Sequence, residues 1–133
     1  MSYANAYAKY KDLSVKTLTP GELIVLLYDE MALQINRAIL NIKKNKLEDV
    51  HHNLIKAQNI VLYLVDILDI NYPISDNLLR LYEFIYFQMV KANGEKNVVF
   101  LEDVLHITNQ LKDTWRQAES IHRQKMSLEG NIV

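Results

Sequence analysis

Almost nothing in this chain interrupts a helix. Its 133 residues include three Gly and two Pro, and half of all residues are hydrophobic. A chain with so few breakers and so much apolar content is expected to form long helices joined by short turns. The breakers and caps that do occur divide it into four. Thr19 can cap a first helix, Pro20 suits the first helical position, and Glu22 sits where its side chain can reach back to the Thr19 N–H. That helix is expected to run to about Lys44, where Lys43 and Lys44 suit the negative end of the helix dipole. A turn at Lys46 leads to a second helix over about Leu47–Leu68, which stops ahead of Pro73. Ser75 or Asp76 can cap a third, running to about Ala92, with Gly94 as the stop. A fourth covers about Val98–His122. Short connections imply antiparallel neighbours, so the expected fold is all-α: a single-domain, up-down-up-down four-helix bundle over residues 19–124. An N-terminal arm (residues 1–18) and a flexible tail (residues 125–133) flank it. In the arm Tyr3, Tyr7 and Tyr10 would share one side of a helix.

Sorting the apolar residues at about 100° per residue shows more faces than a bundle needs. The fourth helix has one stripe, Leu101, Val104, Leu111, Trp115 and Ala118, ended by His122. The first has a core stripe of Ile24, Tyr28, Met31, Ile35, Ile39 and Ile42, flanked by Leu27 and Ala38. It also carries Leu26, Leu33 and Leu40 on the opposite side at seven-residue spacing. The second has Val50, Leu54, Ala57, Val61, Leu64 and Leu68 as core. Ile55 and Leu62 make a second seam, and Ile60 and Ile67 a third flank. On the third helix Leu78, Leu81, Tyr82, Ile85 and Met89 form the core, with Leu79, Tyr86 and Val90 off that line. Each buried Leu or Ile is worth roughly 1.5–3 kcal/mol relative to exposure, so these seams call for a cover. The arm, a second copy or a partner helix could supply it. Gln58 and Asn59 beside the Ile55/Leu62 seam are either solvated or hydrogen-bonded to a partner backbone.

Other functions find little support. The net charge is −1, which gives no field for nucleic acid or an anionic membrane. No apolar run is long enough to span a bilayer, and residues 1–13 lack the apolar core of a secretory signal. Cysteine is absent, which excludes disulfides and thiolate chemistry and fits a reducing compartment. His51 and His52 are adjacent and diverge on a helix, and His106 and His122 lack ligand partners at helical spacing, so no metal site is expected. The carboxylate neighbours Asp66/Asp69 and Glu102/Asp103 read as solvated charge, and Lys43, Lys44 and Lys46 as helix-end charge. No phosphate loop or nucleophile elbow occurs. The chain reads as neither an enzyme nor a cofactor protein.

Four segments carry a family resemblance. They are "AYAKYKDLSVKT" in the arm, "TPGELIVLLYDEM" opening the first helix, "LIKAQNIVLYL" in the second, and "LRLYEFIYFQMVKAN" with "DTWRQA" in the third and fourth. Together they resemble the flagellin-specific export chaperones of the FliS family, from the arm to about Gln124. The aromatic-rich "YEFIYF" and the turn "VDILDINYPIS" depart from the family pattern. The resemblance implies a cytoplasmic chaperone that binds the C-terminal segment of flagellin, prevents premature polymerisation and hands it to a component of the flagellar type III export gate. Tyr7 and Tyr10 match the family's arm tyrosines, and Ile55 to Ile60 its central motif. The expected client-binding set is therefore Tyr7, Tyr10, Leu26, Leu33, Leu40, Ile55, Gln58, Asn59, Leu62 and Tyr86. The alternative is a structural protein that forms a homodimer through its extra stripes, and a weak homodimer is compatible with either.

Overall fold

A computed structural model describes residues 18–132. Four helices follow in order: α1 (Pro20–Lys43), α2 (Leu47–Asp66), α3 (Ser75–Glu95) and α4 (Val99–Ile132). Each packs on its sequence neighbours, and α4 closes the ring against α1. The result is the expected antiparallel four-helix bundle.

α1 starts as its sequence dictates. Thr19 accepts from the Glu22 N–H at 3.1 Å, and the Glu22 carboxylate accepts from the Thr19 N–H at 3.0 Å. This reciprocal box satisfies two N–H groups that the first turn would otherwise leave bare. The third helix does not start that way. Ile74 occupies the cap position without a side-chain bond, and the Ser75 hydroxyl instead donates to the Asp69 carbonyl across the turn. Neither Ser75 nor Asp76 caps. Gly94 is not the stop either, because α3 continues to Glu95 and Lys96 takes the left-handed conformation (φ 53°). The Lys96 ammonium reaches the Asn93 carbonyl at 2.5 Å, which satisfies an acceptor at the helix end.

The core comprises Leu27, Tyr28, Met31, Ile35 and Ala38 from α1, with Val50, Leu54, Ala57, Val61 and Leu64 from α2. Leu78, Tyr82, Ile85, Met89 and Ala92 come from α3, and Leu101 and Val104 from α4. Ile60 belongs here too. It is fully buried, not on a flank, because it falls on the side of α2 that meets α1. A polar ladder marks that contact: Gln34 donates to Glu30, Asn53 to Gln34 and Asn41 to Asn53 at 2.8–3.0 Å.

The far end of α4 differs most from the reading of the sequence. The helix runs on to Ile132, past the Gln124 limit expected for the bundle. Its core stripe passes Leu101, Val104 and the buried Thr108, then the half-buried Leu111 and Trp115. Ala118 and His122 are exposed, so His122 does not end a buried stripe. By that point α4 has reached the level of the α1 N-terminus and has no core left to face.

Candidate functional site

The expected client-binding residues do not form one surface. The structure divides them among three places. Tyr7 and Tyr10 lie outside the described residues.

The first place is the groove between α2 and α3. The Asn93 amide donates to Nδ1 of His51 at 3.0 Å and pins the two helices in register. They run antiparallel, so seven residues forward on α2 correspond to seven back on α3. Gln58 then comes opposite Tyr86, and Val65 opposite Leu79. Burial agrees: Gln58 is only 7% exposed, and Tyr86, Leu79 and Val65 are half-buried. Gln58 is therefore not a solvated interruption of the helix but the polar floor of the groove. Ile55 and Leu62 stand on its α2 wall, 39% and 45% exposed, and Val90 is exposed on its α3 wall. Asn59 is exposed on the outer shoulder. Tyr86 also packs edge-to-face on Phe87, with ring centroids 5.7 Å apart.

The second place is the outer face of α1, where Leu33 and Leu40 are exposed. The third is the seam between α1 and α4. Leu26 is half-buried there with Leu18 and Val25 in a cleft of about 400 Å³, so it does not share a surface with Leu33 and Leu40. Charged groups roof this cleft. Lys112 and Arg116 lie 3.3 and 3.5 Å from the Asp29 carboxylate, Arg123 pairs with Glu22, and Thr19 donates to Glu119 at 2.9 Å. A Cβ at Gly21 would come 2.1 Å from the Glu119 carboxylate, the far end of a flexible side chain that can turn aside, so the contact marks how closely the Glu119 side chain lies over the start of α1. The hydrogen bond from the Thr19 N–H, with the Thr19 hydroxyl and the Arg123 charge, holds the Glu22 carboxyl below its usual value.

Beneath these surfaces Tyr28 and Tyr82 meet in the core with hydroxyl oxygens 2.5 Å apart. Burial pushes both phenols up. They form a closed polar pair and not a reactive one. Among the described residues no His, Asp and Glu cluster could hold a metal, and no helix is long and apolar enough to cross a membrane. The arrangement can bind, through apolar walls and a polar floor.

Sequence reasoning missed Phe84 and Phe87, which are exposed on the outer side of α3. The signal was present in "YEFIYF": neither phenylalanine fits the Leu78/Tyr82/Ile85/Met89 line.

Comparison with known proteins gives a consistent result. The family described as "Flagellar protein FliS" matches residues 3–122. A Bacillus subtilis (strain 168) protein, "Flagellar secretion chaperone FliS", is 33% identical over 133 residues, covering all of both chains. A solved structure described as "Crystal structure of flagellar chaperone from bacteria" superposes with a TM-score of 0.72. It covers 88% of this chain and 97% of that one, at 22% identity, and supports the fold.

Proposed function

The chain belongs to the FliS family of flagellar chaperones, and on that premise we propose that it binds the C-terminal segment of flagellin in the cytoplasm. By holding that segment it prevents premature polymerisation and delivers the client to the flagellar type III export gate. The role is one of binding, without catalysis or cofactor.

The observation that carries this reading is the α2/α3 groove. Ile55, Leu62 and Val90 stay exposed around a buried Gln58 and a half-buried Tyr86. An amphipathic client helix could lay its apolar face between these walls, with Gln58 offering a donor and an acceptor below. A client that orders only on binding loses conformational entropy at that moment, so one groove gives modest affinity. The exposed Leu33 and Leu40 on α1 suit a second contact by the same extended client, and Tyr7 and Tyr10 would compete with it or clasp it.

Co-purification tests the proposal. The protein should retain full-length flagellin and lose flagellin that lacks its C-terminal segment. Equal retention of the two forms would contradict it.

A further inference from the structure

Among the described residues two glutamines are buried, and their surroundings differ. Gln34 on α1 is 1% exposed and fully engaged: it donates to Glu30 at 3.0 Å and accepts from Asn53 at 3.0 Å. Gln58 on α2 is 7% exposed, yet among the described residues no side-chain hydrogen bond reaches its amide. The amide is not sealed off either. The sealed, unpaired side-chain polar atom among the described residues is Thr108 Oγ1, deep in the core. Gln58 therefore keeps a narrow opening to water, and that opening is the groove.

His51, Ile55, Gln58, Leu62 and Val65 recur on α2 at spacings of four and three, so they share one line along the helix. Gln58 is at its middle, between the exposed Ile55 and Leu62 and across from the half-buried Tyr86. A helix resting on Ile55 and Leu62 passes over the amide and removes the last of its water. A buried amide left unpaired is penalised by its lost hydration. This one has two donor hydrogens and two acceptor lone pairs to satisfy. The middle of a client helix offers no free backbone partner, because its N–H and C=O groups bond each other.

We infer that Gln58 sets the specificity of the groove: it admits a client helix that carries one amide or hydroxyl side chain within its apolar face, opposite Gln58, and rejects a helix whose face is wholly apolar. This rests on the client reading of the groove and names the chemistry that the client must bring. The polar residue stands three or four positions from the apolar residues that meet Ile55 on one side and Leu62 on the other. Selection of this kind is sharp, because the wrong client leaves a buried polar group unpaired, whereas a methylene more or less in an apolar wall changes little. Gln34 has no such role, since its amide is already satisfied within the bundle.

Gln58→Leu in the intact chain tests the inference. The free variant should melt no lower than the parent, since no described hydrogen bond is lost, yet it should bind a flagellin C-terminal peptide about tenfold more weakly. Peptides with each Ser, Thr, Asn and Gln changed singly to Ala should reveal one position that weakens binding to the parent about tenfold. That same peptide should bind Gln58→Leu at least as tightly as the unchanged peptide does, which is the coupling expected of a direct pair. Undiminished binding by Gln58→Leu, or no position that couples, would overturn the inference, and weakening by Ile55→Asp alongside would leave the client reading standing. A lower melting temperature would also overturn it, by making the amide structural. If Ile55→Asp and Gln58→Leu both bind as the parent does, the client reading of the groove fails and the inference falls with it.

Discussion

The α1/α4 seam and the α2/α3 seam join helices of the same bundle in the same antiparallel sense, yet one is roofed and the other open. Across α1/α4, Asp29, Glu22 and Thr19 on one side meet Lys112, Arg116, Glu119 and Arg123 on the other, and the apolar Leu26 lies beneath them. Across α2/α3 a single side-chain bond, His51 to Asn93, holds the register, and Ile55, Leu62 and Val90 stay in water. The lesson is that an apolar residue off the core line says little by itself. What matters is whether ion pairs bridge the seam above it, and among the described residues none joins α2 to α3.

The widest gap should appear within α2 itself. Ile60→Ala removes a fully buried side chain and should cost about 2–5 kcal/mol of stability by denaturant unfolding. If it proved neutral, the division of α2 into core and groove faces would fail. Next, Tyr28→Phe leaves the Tyr82 hydroxyl buried without its partner and should cost about 1–3 kcal/mol, while Phe at both positions should restore most of the loss. The groove comes third. Ile55→Asp should leave helicity intact and weaken flagellin binding about tenfold or more, whereas loss of folding would make Ile55 a core residue.

The smallest effect belongs to the roofed seam. The Glu22 carboxyl is held below its usual value of 4.5, so its contribution to stability is present above that value. It is lost as the pH falls through the lowered folded value. Glu22→Gln should remove this part of the acid dependence in thermal melts across the acidic range. An unchanged acid limb would show that the Thr19–Glu22–Arg123 cluster does not matter.

Local signals were the legible ones. The Thr19/Glu22 box needs only its own few residues, and it formed as read. Tyr28, Met31 and Ile35 follow one stripe, and the fold class follows from such stripes and from short connections. Ile60 was misplaced because its angle on α2 lies off the stripe centre, and only the approach of α1 brings it inside. The Gly94 stop failed because the Lys96 side chain reaches back to Asn93 and makes a non-glycine left-handed residue acceptable there. The candidate site was legible as a list of apolar residues and not as a surface. Whether Ile55 and Leu62 face Tyr86 or Leu33 depends on the His51–Asn93 register, a contact between residues 42 apart in sequence. Leu26 and Leu33 share a line on the wheel, but α4 covers only the first.

The account rests on the α2/α3 groove as the client surface. Titrating a flagellin C-terminal peptide into the isotope-labelled protein and following backbone amide resonances tests it most directly. The largest shifts should fall on α2 from His51 to Val65 and on α3 from Leu79 to Asn93, with the Asp29–Arg116 seam unmoved. Shifts centred on the α1/α4 seam, with the Ile55 and Tyr86 region silent, would contradict it.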